Sequence, residues 1–309
     1  MSKQTSSESR TDVYAEVTAR IITALEEGPE RWVKSWTSNR DVWNPRNHLS
    51  DRPYRGVNLA LLALTCTDGR YALNRWLTFQ QARSIGGTVR KGSKGTLVVF
   101  WKRLDGRTGK PNDNATDDDS ATDEGGKLAG RSALMAKHFY VFNVADVDGI
   151  PESVHDVPSD DGLAAQIILR SGARIIPGEP CYRPSDDLVM LPDASAFTRR
   201  DEYFATAYHE LAHWTARRVG RETNAKRWGD DAYAMEELIA EMTAAMLCGA
   251  TGQATLMQSA SYLEHWLRVL KADKRAIFSV ASAAQKAADY LLTRAGLDES
   301  GAPDSEQAA

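Results

Sequence analysis

His209 and His213 stand four residues apart in the run His209-Glu210-Leu211-Ala212-His213. On a helix that spacing leaves the two imidazoles roughly 40° apart, so both can reach one cation. Glu210, beside the first histidine, is placed to meet a cation-bound water instead of the cation. A divalent metal lowers the pKa of such a water, and the carboxylate then acts as general base. Two histidines make a weak site, so a third protein ligand is needed. Residues 233–241 offer one: Glu237 and Glu241 share a helical face with Leu238, Met242, Ala245 and Met246. Carboxylates on an apolar face are costly unless paired or metal-bound. Glu237 is the expected third ligand, with Glu236 as the fallback, and Glu241 is the expected acceptor for a ligand histidine's N–H. Two imidazoles and one carboxylate suit Zn2+, with Mn2+ as another divalent candidate, better than they suit the oxygen-rich magnesium shells typical of nucleases. A lone motif of this length also occurs by chance in ordinary helices; the carboxylate helix downstream is what separates this case from them.

The elements that must position these residues are readable in outline. Thr11 or Asp12 caps a helix whose apolar stripe is Val13, Val17, Ile21 and Leu25, and Gly28 and Pro29 stop it. A short helix is expected over 58–65. A third starts at Thr78, where Gln81 completes a capping box, and ends at Gly86 and Gly87. Residues 88–103 read as a hairpin around the basic turn 91–95, with a buried strand over 97–101 and a partner strand over 138–143. In the second half the pattern gives a helix at 161–171, strands near 173–176 and 187–192, the motif helix at 199–219, a helix at 232–248 and two more within 255–295.

The sequence thus predicts an α+β chain of two domains, which its 309 residues allow. Residues 11–150 form a mixed α/β domain and residues 159–295 a mainly helical one with a small sheet. Segment 112–124 holds six acids and no Lys or Arg, so 105–131 is expected to be a disordered insertion. The stretch from Pro151 to Pro158 is the expected boundary.

Charge divides the chain more sharply than hydropathy does. Residues 31–110 hold 16 Lys and Arg against 4 Asp and Glu, a surplus of +12; with a net charge of −4, the rest carries −16. Trp32, Trp36, Trp43, Trp76 and Trp101 fall in or near that basic stretch. Aromatic faces stack on unpaired bases while cations track phosphates, so single-stranded DNA is the expected partner. The expected contact residues are Trp36, Arg52, Tyr54, Arg55, Arg90, Lys91 and Lys94, while Trp76, Phe79 and Trp101 are expected in the core. The first ten residues are polar, unlike a signal peptide, and no run approaches a membrane span. Three distant cysteines indicate neither a disulfide framework nor a cysteine zinc finger. A cytoplasmic protein is expected.

Taken together, these residues resemble the ArdC antirestriction family of plasmids and phages. The N-terminal matches are Tyr54-Arg55-Gly56-Val57-Asn58, Trp76-Leu77-Thr78-Phe79-Gln80-Gln81-Ala82, Gly86-Gly87-Thr88-Val89-Arg90-Lys91-Gly92 and Val141-Phe142-Asn143. The C-terminal matches are Leu191-Pro192, Tyr203 with Thr206, His209 to Trp214, Glu236 to Glu241 and Asp273 to Phe278. The resemblance implies an N-terminal single-stranded-DNA-binding domain, a zincin-like metallopeptidase domain of gluzincin type, a divalent metal, and protection of incoming DNA from host restriction. Peptide cleavage does not follow from resemblance, since a fold does not guarantee its usual activity. Two functions therefore stay open. One is a DNA-binding antirestriction factor, whose binding should persist in residues 1–155. The other is a cytoplasmic, DNA-associated zinc metallopeptidase that cleaves a host protein, with 187–191 as the strand edge that pairs with substrate.

Overall fold

Eight helices and nine strands are described in the computed structural model, which covers residues 12–27, 43–69, 71–103, 134–150, 160–221, 231–254 and 263–297. The insertion expected at 105–131, the boundary at 151–158, the stop at Gly28 and Pro29, and Trp32 and Trp36 lie outside the described residues.

The first helix, α1 (Val13–Glu26), is set by its cap: the Asp12 carboxylate accepts from Ala15 N. Its stripe of Val13, Val17, Ile21 and Leu25 is buried, as the spacing requires. Then come β1 (Arg46–Asn47), α2 (Val57–Asp68), β2 (Arg75–Thr78) and α3 (Phe79–Ser84). Thr78 and Gln81 form both bonds of the expected capping box. Strands β3 (Thr88–Val89), β4 (Thr96–Arg103), β5 (Leu134–Asn143) and β6 (Val147–Asp148) complete this half. A four-stranded sheet runs β1-β2-β5-β4, with β1 parallel to β2 and the remaining pairs antiparallel.

The expected hairpin over 88–103 is not what forms. β4 pairs with β5 as expected, but β3 pairs with β6. Gly92, at φ +93, turns the chain away from β3, and Arg90 N donates to Asp146 O at 2.9 Å, extending the β3–β6 pairing. The basic segment is a connection between two sheets.

The second half opens with α4 (Asp161–Arg170), then β7 (Arg174–Pro177), β8 (Cys181–Arg183) and β9 (Leu188–Leu191). Their order is β7-β9-β8, so β9 is central and paired on both sides. The expectation that 187–191 is an edge is therefore corrected. The edges are β7 and β8, and β8 was not foreseen because its three residues carry no alternating apolar signal. Four helices follow: α5 (Arg200–Thr215), α6 (Asp231–Thr251), α7 (Leu263–Ala272) and α8 (Ala276–Ala295). The motif helix α5 stops at Thr215, short of 219, and turns lead to Gly220 at φ +69.

Helix α8 joins the halves. Its alanines, Ala281, Ala284 and Ala288, are fully buried, and their small size lets α6 approach closely: Thr243 Oγ1 donates to Ala284 O at 3.3 Å. From the same helix Phe278 meets Tyr14 of α1 edge-on, ring centroids 4.9 Å apart, and Trp101 of β4 at 6.2 Å. Gln285 Oε1 accepts from Gly56 N at 3.0 Å, and Asp289 pairs with Arg55. Helix α1 in turn bonds to the turn before α8, where Thr18 Oγ1 donates to Lys274 O at 2.7 Å. One continuous apolar core contains residues of both halves.

Candidate metal centre

Helix α5 lies almost wholly inside the protein. Asp201 and Glu202 sit in its first turn and His213 in its last, which complements the helix dipole. Neither Gly nor Pro interrupts it. Against it packs α6, whose Glu236, Glu237 and Glu241 are all buried. The two helices bring the expected ligands together: His209, His213 and Glu237 each offer one ligand atom, all within 4.8 Å of one another. The two Nε2 atoms are 3.2 Å apart. Glu237 presents one oxygen to each histidine, Oε2 at 3.4 Å from His209 Nε2 and Oε1 at 3.6 Å from His213 Nε2. Ligands bound at about 2.0–2.2 Å to a tetrahedral ion stand about 3.3–3.6 Å apart, so these separations fit such a shell.

Glu236, the fallback ligand, is engaged elsewhere. Its Oε1 lies 3.1 Å from His213 Nδ1, and Arg221 grips both its oxygens, Nε to Oε2 at 3.0 Å and Nη2 to Oε1 at 2.8 Å. A proton on His213 Nδ1 held by Glu236 leaves the Nε2 lone pair facing the site. Glu241 faces His209 Nδ1 at 3.8 Å, beyond hydrogen-bond length. That buried nitrogen has no hydrogen-bond partner among the described residues. Glu210 is buried beside His209. Four carboxylates thus surround two imidazoles and one guanidinium, a charge balance that suits a dication.

The same charges set the protonation of the metal-free pair. Burial pushes the His209 imidazole down, but the Glu237 hydrogen bond and the charges of Glu241, Glu210 and Glu237 carry it up to about 9. Burial raises Glu237, and its bond to His209 with the nearby imidazole charges brings it down to about 2. A raised histidine stabilises the fold fully below its unfolded value of about 6.5 and loses that contribution as pH climbs through about 9. A depressed glutamate contributes above its unfolded value and loses it as pH falls through about 2. Metal-free protein held in chelator is therefore expected to melt progressively lower between pH 6.5 and 9; a flat or rising melting temperature across that window would contradict the ion pair.

The residues expected to touch DNA are scattered. Trp36 lies outside the described residues. Tyr54 is buried, its ring 6.3 Å from Phe100, so it cannot stack on a base. Arg55 is paired with Asp289, and Arg90 lies 3.8 Å from Asp146 and 3.5 Å from Asp148. Arg52, Lys91 and Lys94 are exposed. Trp76 and Trp101 are in the core as expected, whereas Phe79 is 51% exposed.

Two family models cover most of the chain: the N-terminal domain of anti-restriction factor ArdC matches residues 11–142, and a zincin-like metallopeptidase matches residues 163–283. An uncharacterized protein, y4eC, of Sinorhizobium fredii is 35% identical over 91% of this chain and 92% of its own length. The metal-free crystal structure of antirestriction protein ArdC from plasmid R388 superposes with a TM-score of 0.70 at 35% identity, covering 92% of this chain and 98% of that one. The chain belongs to the ArdC antirestriction family. The Mn(II)-bound structure of the R388 protein matches equally, with a TM-score of 0.71. Escherichia coli DNA primase TraC is also similar, 34% identical over 90% of this chain, but the chain spans only 27% of that primase. The α+β fold with a zincin-like C-terminal unit is thus a family feature. Among the described residues, no helix is long and apolar enough to cross a membrane.

Arg221 is the functional candidate that sequence reasoning missed. It follows the end of α5, with no periodicity to mark it, and only the folded turn at Gly220 brings it onto Glu236.

Proposed function

We propose that the protein is an antirestriction factor of a mobile element that acts in the cytoplasm, binds single-stranded DNA, and carries a zinc-dependent, metallopeptidase-like site. The observation that carries this is the convergence of His209 Nε2, His213 Nε2 and the Glu237 carboxylate, in one core with an N-terminal half whose residues 31–110 have a +12 surplus. His209, His213 and Glu237 would hold the ion, which supplies a polarised, acidified water. Glu236 and Arg221 would orient His213, and Glu210, buried beside His209, would serve as the general base. Family membership supplies the biological setting, protection of incoming DNA.

Fluorescence anisotropy of the full chain with labelled single- and double-stranded oligonucleotides, over a salt series, tests the DNA half. Tight single-strand binding that weakens steeply with salt is expected; no binding at low salt would remove the DNA-binding role.

The DNA-associated metallopeptidase is the second reading, favoured by β8, a strand packed near α5 that has no strand on one side among the described residues. It requires proteolysis that vanishes in Glu210→Gln while the ion stays bound. Should Glu210→Gln keep full protection of incoming DNA, peptide hydrolysis is not how the protein works.

A further inference from the structure

Among the described residues, five large hydrophobic side chains stand well exposed, and four of them, Leu49, Phe79, Phe139 and Tyr140, belong to one end of the four-stranded sheet. Thr78 pairs with Val141, so Phe79, the next residue on its strand, emerges at the level of Tyr140. Leu49 stands in the turn that follows β1, the strand running parallel beside β2. His138 is exposed as well, its ring edge-on to Tyr140 at 6.2 Å, whereas Phe139 is on the opposite face of the strand, 5.6 Å from Phe100. Strand β2 pairs with β5 only over 141–143, so among the described residues no strand covers that side of β5 from 135 to 140.

The surroundings are mainly basic, although Asp51 stands two residues from Leu49 and Asp146 and Asp148 lie against Arg90. Residues 71–103 and 134–145 contain eight Lys and Arg and no Asp or Glu. Arg75 is buried, but Arg83, Lys91 and Lys94 are exposed and Lys137 is half-buried on the open strand. Arg83 stands four residues after Phe79 on α3, hence on the same helical face. Aromatic rings left in water beside a surplus of cations fit an unpaired polynucleotide. A duplex hides its base faces, and a surplus of cations beside the rings favours a polyanion over a protein partner.

We propose that this end of the sheet is the seat of single-stranded DNA: Phe79 and Tyr140 stack on bases, His138 extends the ledge on the face of β5 that Tyr140 shares, and Arg83 holds an adjoining phosphate. The inference rests on the single-strand reading above and names the surface that serves it.

Full-length Phe79→Ala, Tyr140→Ala and Tyr140→Phe proteins, with Leu169→Ala as an exposed control on α4, test it by anisotropy on a labelled oligothymidylate across a salt series. Each alanine variant is expected to bind about tenfold or more weakly with an unchanged salt slope, because stacking is lost and cations remain. Tyr140→Phe and Leu169→Ala should bind as the parent does. Both rings are half in solvent, so melting temperatures should hold. If the parent binds and both alanine variants bind equally well, the seat lies elsewhere and this inference falls alone. If the parent does not bind at low salt, it falls with the single-strand reading. Variants that change only the sedimentation coefficient would assign the ledge to a second copy of the chain and overturn the proposal.

Discussion

Glu237→Gln is expected to leave a folded protein that holds a divalent ion more than about a hundredfold more weakly. Glutamine keeps the shape of the side chain, but it removes the negative charge and the carboxylate oxygens that stand 3.4 and 3.6 Å from the two histidine nitrogens. Loss of a partner that only orients a ligand costs about 10–100-fold in affinity, and that smaller range is the expectation for Glu236→Gln, which loosens His213 through Nδ1. The order of the two effects separates Glu237 as ligand from Glu236 as its fallback. Competition for Zn2+ against a chromogenic chelator reads it directly. Parent-like affinity in Glu237→Gln, or a larger loss in Glu236→Gln, would overturn the assignment. A linked measurement is available because His209 is held protonated by its carboxylates up to about pH 9. Its proton must leave when the ion arrives, so calorimetry at pH 7 in buffers of different ionisation enthalpy should find about one proton released per ion.

The convergence of His209, His213 and Glu237 was legible because it rests on local periodicity. Four-residue spacing on α5 and the apolar neighbours of Glu237 on α6 require only that both segments be helical, and helices of that length declare themselves. What could not be read is what depends on chain reversal. Arg221 reaches Glu236 through a turn, and β9 became central because the three-residue β8 added itself to one side. The basic segment 91–95 looked like a hairpin tip because strand-forming residues flank it; the pairing of β3 with β6, some sixty residues on, is invisible to local pattern. Aromatic residues misled in both directions. Tyr54 beside two arginines suggested a contact surface yet packs on Phe100, while Phe79, placed by pattern in the core, begins α3 on its solvent side. Residue type sets what a ring can do, but only its strand level and face decide whether it meets water.

The two-domain pattern in sequence conceals a shared interior, and this leads to the largest expected effect on stability. A chain ending at 155 would leave the buried stripe of α1 and the Trp101 ring without Phe278 and its neighbours, and Gly56 N without Gln285. Exposing that surface costs roughly 25 cal/mol per Å2, against a stability of only about 5–15 kcal/mol for a typical domain. The expectation that binding persists in residues 1–155 is therefore replaced: the isolated fragment is expected to be unfolded or aggregated, and the whole chain to melt in one transition that moves when metal binds the other half. Gly249 probes the same seam at a single atom. It sits in α6 against the Trp43 backbone, where an added β-carbon would collide with the Trp43 carbonyl. Helix propensity favours alanine by about 1 kcal/mol, while overpacking against backbone costs about 1–3 kcal/mol. Gly249→Ala is thus expected to lower stability by about 1 kcal/mol net, although the substitution alone would strengthen an isolated helix. Two separate calorimetric transitions in the full chain, or a cooperatively folded 1–155 fragment, would show that the halves are independent. Only then would the failure of one half to bind DNA say nothing about the other's metal. With a single transition, an ion held by His209, His213 and Glu237 would stabilise the four-stranded sheet through α6 and α8, because binding to any part of a cooperative fold stabilises all of it.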